Sequence, residues 1–201
     1  MNERGEFQSQ ISAMLNRHGW AKKWPDLPGA RANGAQHVQT GVFDTIFDKE
    51  IFIDEKWWSV DAVIECKSDR GSGRFPYSEF NDNQRRWITW RLEHNRALSA
   101  WIALVMGRGL KHPKQPTMAV LVDWAGWSYI ERKVLYSRKS LSYEDACWWF
   151  MSYALHRHDT RTPKGRIHYG WEIPLWHPFA KKFRLESPVT EPAQPSLLEP
   201  K

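Results

Sequence analysis

The chain has 201 residues, with 29 Lys and Arg against 23 Asp and Glu for a formal net charge of +6, thirteen Trp and two Cys. Two cysteines, Cys66 and Cys147, exclude a disulfide framework and a Cys-rich zinc site. The opening MNERGEFQSQ has no apolar signal region, and the run at 98–107 falls far short of the ~20 residues a membrane helix needs, so a soluble, cytoplasmic protein without membrane contact is expected.

The length suits one domain with a real core, expected over 1–186. The basic excess favours a polyanionic partner, since each Lys or Arg meeting a phosphate releases condensed counterions. Several Trp stand beside basic residues, as in NQRRWITWR (83–91) and WAKKW (20–24), a mixture suited to base stacking and phosphate contact, or simply to core and amphipathic surface.

Phe7, Ile11, Met14 and Leu15 predict a first amphipathic helix with Gly19 as its stop, and Glu6 and Gln10 fall beside that stripe. Residues 20–40 have no period and read as a long loop made basic by Lys22, Lys23 and Arg31. Strand-like runs follow at 41–47, 51–53 and 57–67, separated by the polar turns DKE and DEK. Asn81 with Gln84 opens a capped helix over about 82–96. Apolar strands are expected at 99–106 and 117–124, the second with a hairpin partner at 127–136. A helix capped by Ser142, with Asp145 three residues on, leads into ACWWFMSYAL (146–155). The Pro-rich stretch from Ser187 reads as a disordered tail. Helix, strands, helix, strands points to an α/β architecture with a mixed sheet.

VDAVIECKSD (60–69) carries the chemistry. Alternation puts Asp61, Val63, Glu65 and Lys67 on one face and the apolar or small Ala62, Ile64 and Cys66 on the other. Glu65 and Lys67 lie roughly 6.6 Å apart along the strand, close enough to serve one phosphate group. Phosphodiester hydrolysis needs charge neutralised on the phosphoryl oxygens and an activated water. A Mg²⁺ ion, with Mn²⁺ as a substitute, needs only two carboxylates and a main-chain carbonyl, here that of Cys66. Asp61 lies roughly 13 Å along the strand from Glu65. Asp44, on the preceding run, is the better second ligand, because neighbouring strands are only ~4.8 Å apart. The triplet alone is a weak signal: one is expected about 0.7 times by chance at this length, and a second, ERK, stands at 131–133. Its plain alternative is an ion pair on a solvated strand face.

The stretch GVFDTIF … VDAVIECKSDRGSGRFPYSEFNDNQRRWITW resembles the PD-(D/E)xK nuclease superfamily, and within it the RecU-type Holliday junction resolvases and their phage relatives. The resemblance covers about residues 3–106. It implies a restriction-endonuclease-like mixed sheet flanked by helices. It also implies an acidic residue opening the second strand (Asp44), a Glu-x-Lys on the third (Glu65, Lys67), and a Phe-Pro segment (75–76) leading to a helix with a glutamine (Gln84). Glu6 would be an additional acidic member, and the loop 20–40 a projection into the junction. Phe43 stands where the superfamily name implies proline, and the threonine-rich lead-in of RecU is missing.

The expected activity is a Mg²⁺-dependent endodeoxyribonuclease of DNA recombination and repair, a structure-selective junction resolvase acting as a homodimer on branched or duplex DNA. Asp44, Glu65, Lys67 and Gln84 would be catalytic, with Lys22, Lys23, Arg31, Arg70, Arg74, Arg85 and Arg86 along the DNA backbone. The alternatives are a restriction- or repair-type endonuclease on ordinary duplex, a non-catalytic nucleic-acid-binding protein with the same fold, and an adaptor. HRH (156–158) reads as surface histidines, Trp148 to Met151 as core or a dimer surface, and FAKKFR (179–184) as a basic run.

Overall fold

Phe7, Ile11, Met14 and Leu15 form the buried stripe of helix α1 (Glu3–Leu15), in a computed structural model that describes residues 3–23, 44–69, 72–80, 82–94, 98–107, 118–134, 138–161 and 167–186. The helix ends before Gly19, whose amide bonds the Leu15 carbonyl at 3.2 Å. A Cβ on Gly19 would lie 2.8 Å from the Asp48 carbonyl oxygen and the Phe47 ring, so the close approach of backbone to strand requires glycine here.

Strand β1 (Trp20–Lys23) then occupies the start of the stretch expected to be loop; the remainder of that stretch lies outside the described residues. Strand β2 (Thr45–Ile53) is continuous through Asp48, Lys49 and Glu50, which the sequence suggested as a turn. The second expected turn, DEK, is present as Asp54–Glu55, both at positive φ (51° and 62°), joining β2 to β3 (Lys56–Ser68) in a two-residue hairpin. A short strand β4 (Arg74–Pro76) and a 3₁₀ turn (Tyr77–Glu79) lead to helix α2 (Asp82–His94), which returns the chain to β5 (Leu98–Met106).

The main sheet has the order β1-β2-β3-β5-β6, where β6 is Met118–Asp123. Only β3 and β5 run parallel, as the α2 crossover demands; the other three pairings are antiparallel. This mixed sheet flanked by helices is the α/β class expected.

Residues 127–136 were expected to be a strand. Instead helix α3 (Trp124–Val134) runs there, and its inward Trp127 and Ile130 are buried. After β7 (Ser140–Ser142), Ser142 caps helix α4 (Tyr143–Trp149) as its sequence suggests, its hydroxyl accepting from the Asp145 amide at 3.1 Å. A hairpin of β8 (His156–Arg161) and β9 (Ile167–Glu172) precedes the short helix α5 (Pro178–Lys182). No helix among the described residues is long and apolar enough to cross a membrane.

The two faces of the sheet are unlike. On one, Phe47, Ala62, Ile64, Cys66, Trp101, Ala103 and Leu121 pack with α1 and with Trp171, Phe179 and Phe183 from the C-terminal elements. On the other, two separate apolar clusters form. Val63 and Ala100 meet Ile88 of α2, while Ile102, Leu104 and Val122 meet Phe75, Phe80, Trp127 and Phe150. Glu65 and Lys67, paired with Ile102 and Leu104, lie where those clusters adjoin.

Candidate active site

β2 stops pairing with β3 at Thr45 opposite Ile64, so Asp44 stands at the point where the two strands part. Its amide donates to the Ile64 carbonyl at 3.1 Å, and its Oδ2 accepts from the Cys66 amide at 2.8 Å. Asp44 therefore grips the strand on both sides of Glu65. Two residues from α1 hold this junction: Gln8 Nε2 donates to the Asp44 carbonyl at 2.8 Å, and the Ser12 and Thr45 hydroxyls are 3.1 Å apart.

Glu65 Oε1 meets two donors, Lys67 Nζ at 2.8 Å and Gln84 Nε2 at 2.9 Å. Lys67 Nζ also donates to the Glu79 carbonyl at 3.0 Å and sits 4.8 Å from the centre of the Phe80 ring. Strand β3 supplies the pair, the turn after β4 covers the ammonium, and the first turn of α2 supplies the amide. Glu65 and Lys67 are 3% and 4% exposed, so the ion pair is almost closed off, whereas Asp44 and Gln84 are half-buried. A solvated strand face is thus not where this pair lies.

Among the described residues no three His, Cys, Asp or Glu side chains converge as a metal cluster. The oxygen set is smaller: the carboxylates of Asp44 and Glu65 and the Cys66 carbonyl. In an extended strand a residue's N–H and C=O point the same way, so the Cys66 carbonyl faces the same edge as the Asp44 carboxylate. Two carboxylates and a carbonyl, all hard oxygen donors, fit Mg²⁺, which keeps several waters of its own. The Cys66 thiol points to the opposite face and is buried in the core.

Asp61 is engaged elsewhere. It pairs across the strands with Asp48, and the Ser59 hydroxyl lies 3.0 Å from Asp48 Oδ1 and 3.5 Å from Asp61 Oδ1. Burial first, then the neighbouring Asp48 charge, raises the Asp61 carboxyl above the usual range.

The basic residues divide. Lys22 on β1, Arg74 on β4 and Arg86 on α2 are exposed. Arg85 turns inward: it pairs with Glu131 of α3 and donates to the carbonyls of Tyr77 and Phe80 at 3.3 Å, a tie between elements. Lys23 and Glu6 lie on β1 and α1, but their side chains are outside the description, and Arg31 and Arg70 lie outside the described residues. The ERK triplet is helical, and its Glu131 is the partner of Arg85. Sequence reasoning passed over Gln8 and Asp69. Gln8 is a buried polar residue inside the apolar stripe of α1, which was the available signal. Asp69 accepts from the amides of Gly73 at 2.8 Å and Gly107 at 3.1 Å, tying the end of β3 to the segments after it.

No known family model matches the chain, and no curated protein sequence does.

Proposed function

We propose that the chain is a Mg²⁺-dependent endodeoxyribonuclease of the PD-(D/E)xK type, a structure-selective junction resolvase acting as a homodimer. The observation that carries the reading is the convergence on Glu65 of Lys67, Gln84 and the Asp44 clasp, from three segments, β3, α2 and the start of β2. A buried ion pair is a poor device for stability alone, since an apolar pair of similar volume is often as good or better. The order also follows the resemblance, with the acid at the start of β2, the Glu-x-Lys on β3 and the glutamine on the next helix.

Asp44, Glu65 and the Cys66 carbonyl would hold the metal, which when bound supplies Lewis acidity and a water of lowered pKa. The chain's own side chains do the rest. Gln84 fixes the rotamer of Glu65 through Oε1. Lys67 sets its side-chain nitrogen beside the carboxylate, where charge builds on an attacked phosphate. The pair is nearly closed, so strand entry requires the cover over Lys67, to which Glu79 and Phe80 contribute, to open. Junction specificity and the dimer rest on the resemblance and on the symmetry of cutting two strands.

The same burial favours a second reading, a non-catalytic nucleic-acid-binding protein that keeps this fold. A labelled four-way junction and a matched linear duplex, each incubated with protein with and without Mg²⁺, separate the two. The nuclease reading expects Mg²⁺-dependent nicking, faster on the junction. Binding without cutting under both conditions would establish the second reading.

A further inference from the structure

Helix α2 holds Gln84 on the inward side, and its outward side is unusual. Asn83, Arg86, Trp87, Trp90, Arg91 and His94 recur at the three- and four-residue spacings of one helical face, with Ile88 buried opposite. Trp90 is 51% exposed. Its ring stacks on His94, with centroids 4.7 Å apart at 26°, and His94 Nδ1 lies 2.7 Å from the Trp90 carbonyl oxygen. The Arg91 guanidinium lies 4.7 Å from the centre of Trp87 and 5.9 Å from that of Trp90. The result is a ladder of indole, guanidinium, indole and imidazole held in place before any ligand arrives.

The water-exposed Trp90 indole beside the Arg91 guanidinium, with the half-buried Trp87 behind it, suits a flat, electron-rich, anionic ligand. A nucleobase offers the π-face, and its phosphate offers the charge that Arg86 and Arg91 complement. Paired bases have both faces covered by their neighbours in the stack, so only unpaired bases present a free face to such a ladder. Asp82 and Glu93 lie on the flank beyond Arg86, leaving Trp87, Trp90, Arg91 and His94 as the cationic and aromatic side.

We propose that the outward face of α2 is a binding site for unpaired bases of a single-stranded nucleic acid, with Trp90 as the stacking platform and Arg86 and Arg91 on the backbone. Trp90 follows Gln84 by six residues, about 9 Å along the helix axis at 1.5 Å per residue. The platform and the Gln84 contact to Glu65 are therefore carried by one helix, on different sides of it. The preference for branched or frayed DNA this would confer rests on the nuclease reading; the binding itself does not.

The test uses the full chain in EDTA, where no metal-dependent cutting intervenes. Fluorescence anisotropy follows binding to labelled oligothymidylate and oligouridylate of about 20 nucleotides, longer than a typical single-strand site, and to a blunt duplex. The parent is expected to bind the single strands, and Trp90→Ala to weaken that binding roughly tenfold or more with duplex binding unchanged, while Trp90→Phe keeps most of it. A thermal melt checks that the exposed substitutions leave the fold intact. Unchanged single-strand binding by Trp90→Ala, equal loss on both kinds of probe, or no single-strand binding by the parent overturns the site. Absence of junction cutting in Mg²⁺ with this pattern present would remove the nuclease reading and leave the platform standing.

Discussion

A carboxylate and an ammonium removed from water each lose several kcal/mol of hydration, and their mutual attraction at 2.8 Å offsets this only with good geometry. Gln84 and the Glu79 carbonyl supply the extra hydrogen bonds that make the geometry adequate. This gives an asymmetric expectation. Lys67→Met alone leaves the Glu65 charge buried without its cation, and urea denaturation should show a loss of about 3–5 kcal/mol. Adding Glu65→Leu should recover most of that loss in the double variant, with no cleavage. A double variant as unstable as the single would mean that the pair is a structural necessity, and the argument for function from its burial would fall. At this scale the sequence was informative in part. The alternation of 60–69 placed Glu65 and Lys67 on one face, and strand spacing selected Asp44 over Asp61. Gln8 was not seen because α1 was read for its apolar period, and a polar side chain within that stripe gives no sign of where it points.

Among the elements, the β2–β3 hairpin sets the register that brings Asp44 beside Glu65, and its turn is imperfect. Asp54 and Glu55 both adopt positive φ, where Asp is tolerated and Glu is strained. Glu55→Gly gives the favoured Asp-Gly pair and should raise stability by roughly 0.5–1 kcal/mol, read as a higher urea midpoint with an unchanged slope. A lower midpoint would mean that the Glu55 side chain contributes contacts outweighing the strain. The elements misread from sequence share one cause, that local composition says little about which neighbour an element meets. Polar Asp48, Lys49 and Glu50 looked like a turn, yet Asp48 and Glu50 share one face of an unbroken strand while Lys49, on the other, donates to the Arg184 carbonyl. The aromatic and β-branched run at 127–136 looked like a strand. There Trp127 and Ile130 bury on one side at helical spacing, and tertiary packing overrides the propensity. Helix α5 has five residues, too few for a period to declare itself, so Phe179 and Phe183 passed as part of a basic run although both are core.

In the molecule as a whole, the C-terminal elements close the face of the sheet away from the site, and one buried histidine links that closure to pH. His177 caps α5, its Nδ1 accepting from the Phe179 amide at 3.0 Å, while its Nε2 lies 3.1 Å from the Tyr153 carbonyl oxygen and donates to it. One donor and one acceptor define the neutral ring. Burial chiefly lowers its pKa from 6.5 to about 4. The unfolded chain therefore takes up the proton first: the contribution is fully present above pH 6.5 and is lost as pH falls from there toward 4, levelling below it. The loss amounts to about 3 kcal/mol at most, at 1.36 kcal/mol per pH unit. His177→Asn, which keeps a cap acceptor without titrating, should flatten the decline of melting temperature between pH 6.5 and 4; equal declines would place the acid sensitivity elsewhere. Of the architecture, the α/β class was legible because long periodic segments build it; the order of the sheet's strands was not, β1 having been read as loop and 127–136 as a strand. The closure by β8, β9 and α5 was not, since it depends on long-range contacts such as Trp171 Nε1 to Gln10 Oε1, 161 residues apart.

The central claim, that Asp44 and Glu65 act together on DNA, is tested most directly by Asp44→Asn. The amide oxygen can still accept from the Cys66 N–H, so the strand junction is kept while the charge is lost. Measured beside the parent on a labelled four-way junction at fixed Mg²⁺, the variant should cut at least about 10²-fold more slowly, with melting temperature and junction binding unchanged. Cutting at the parental rate would contradict the assignment.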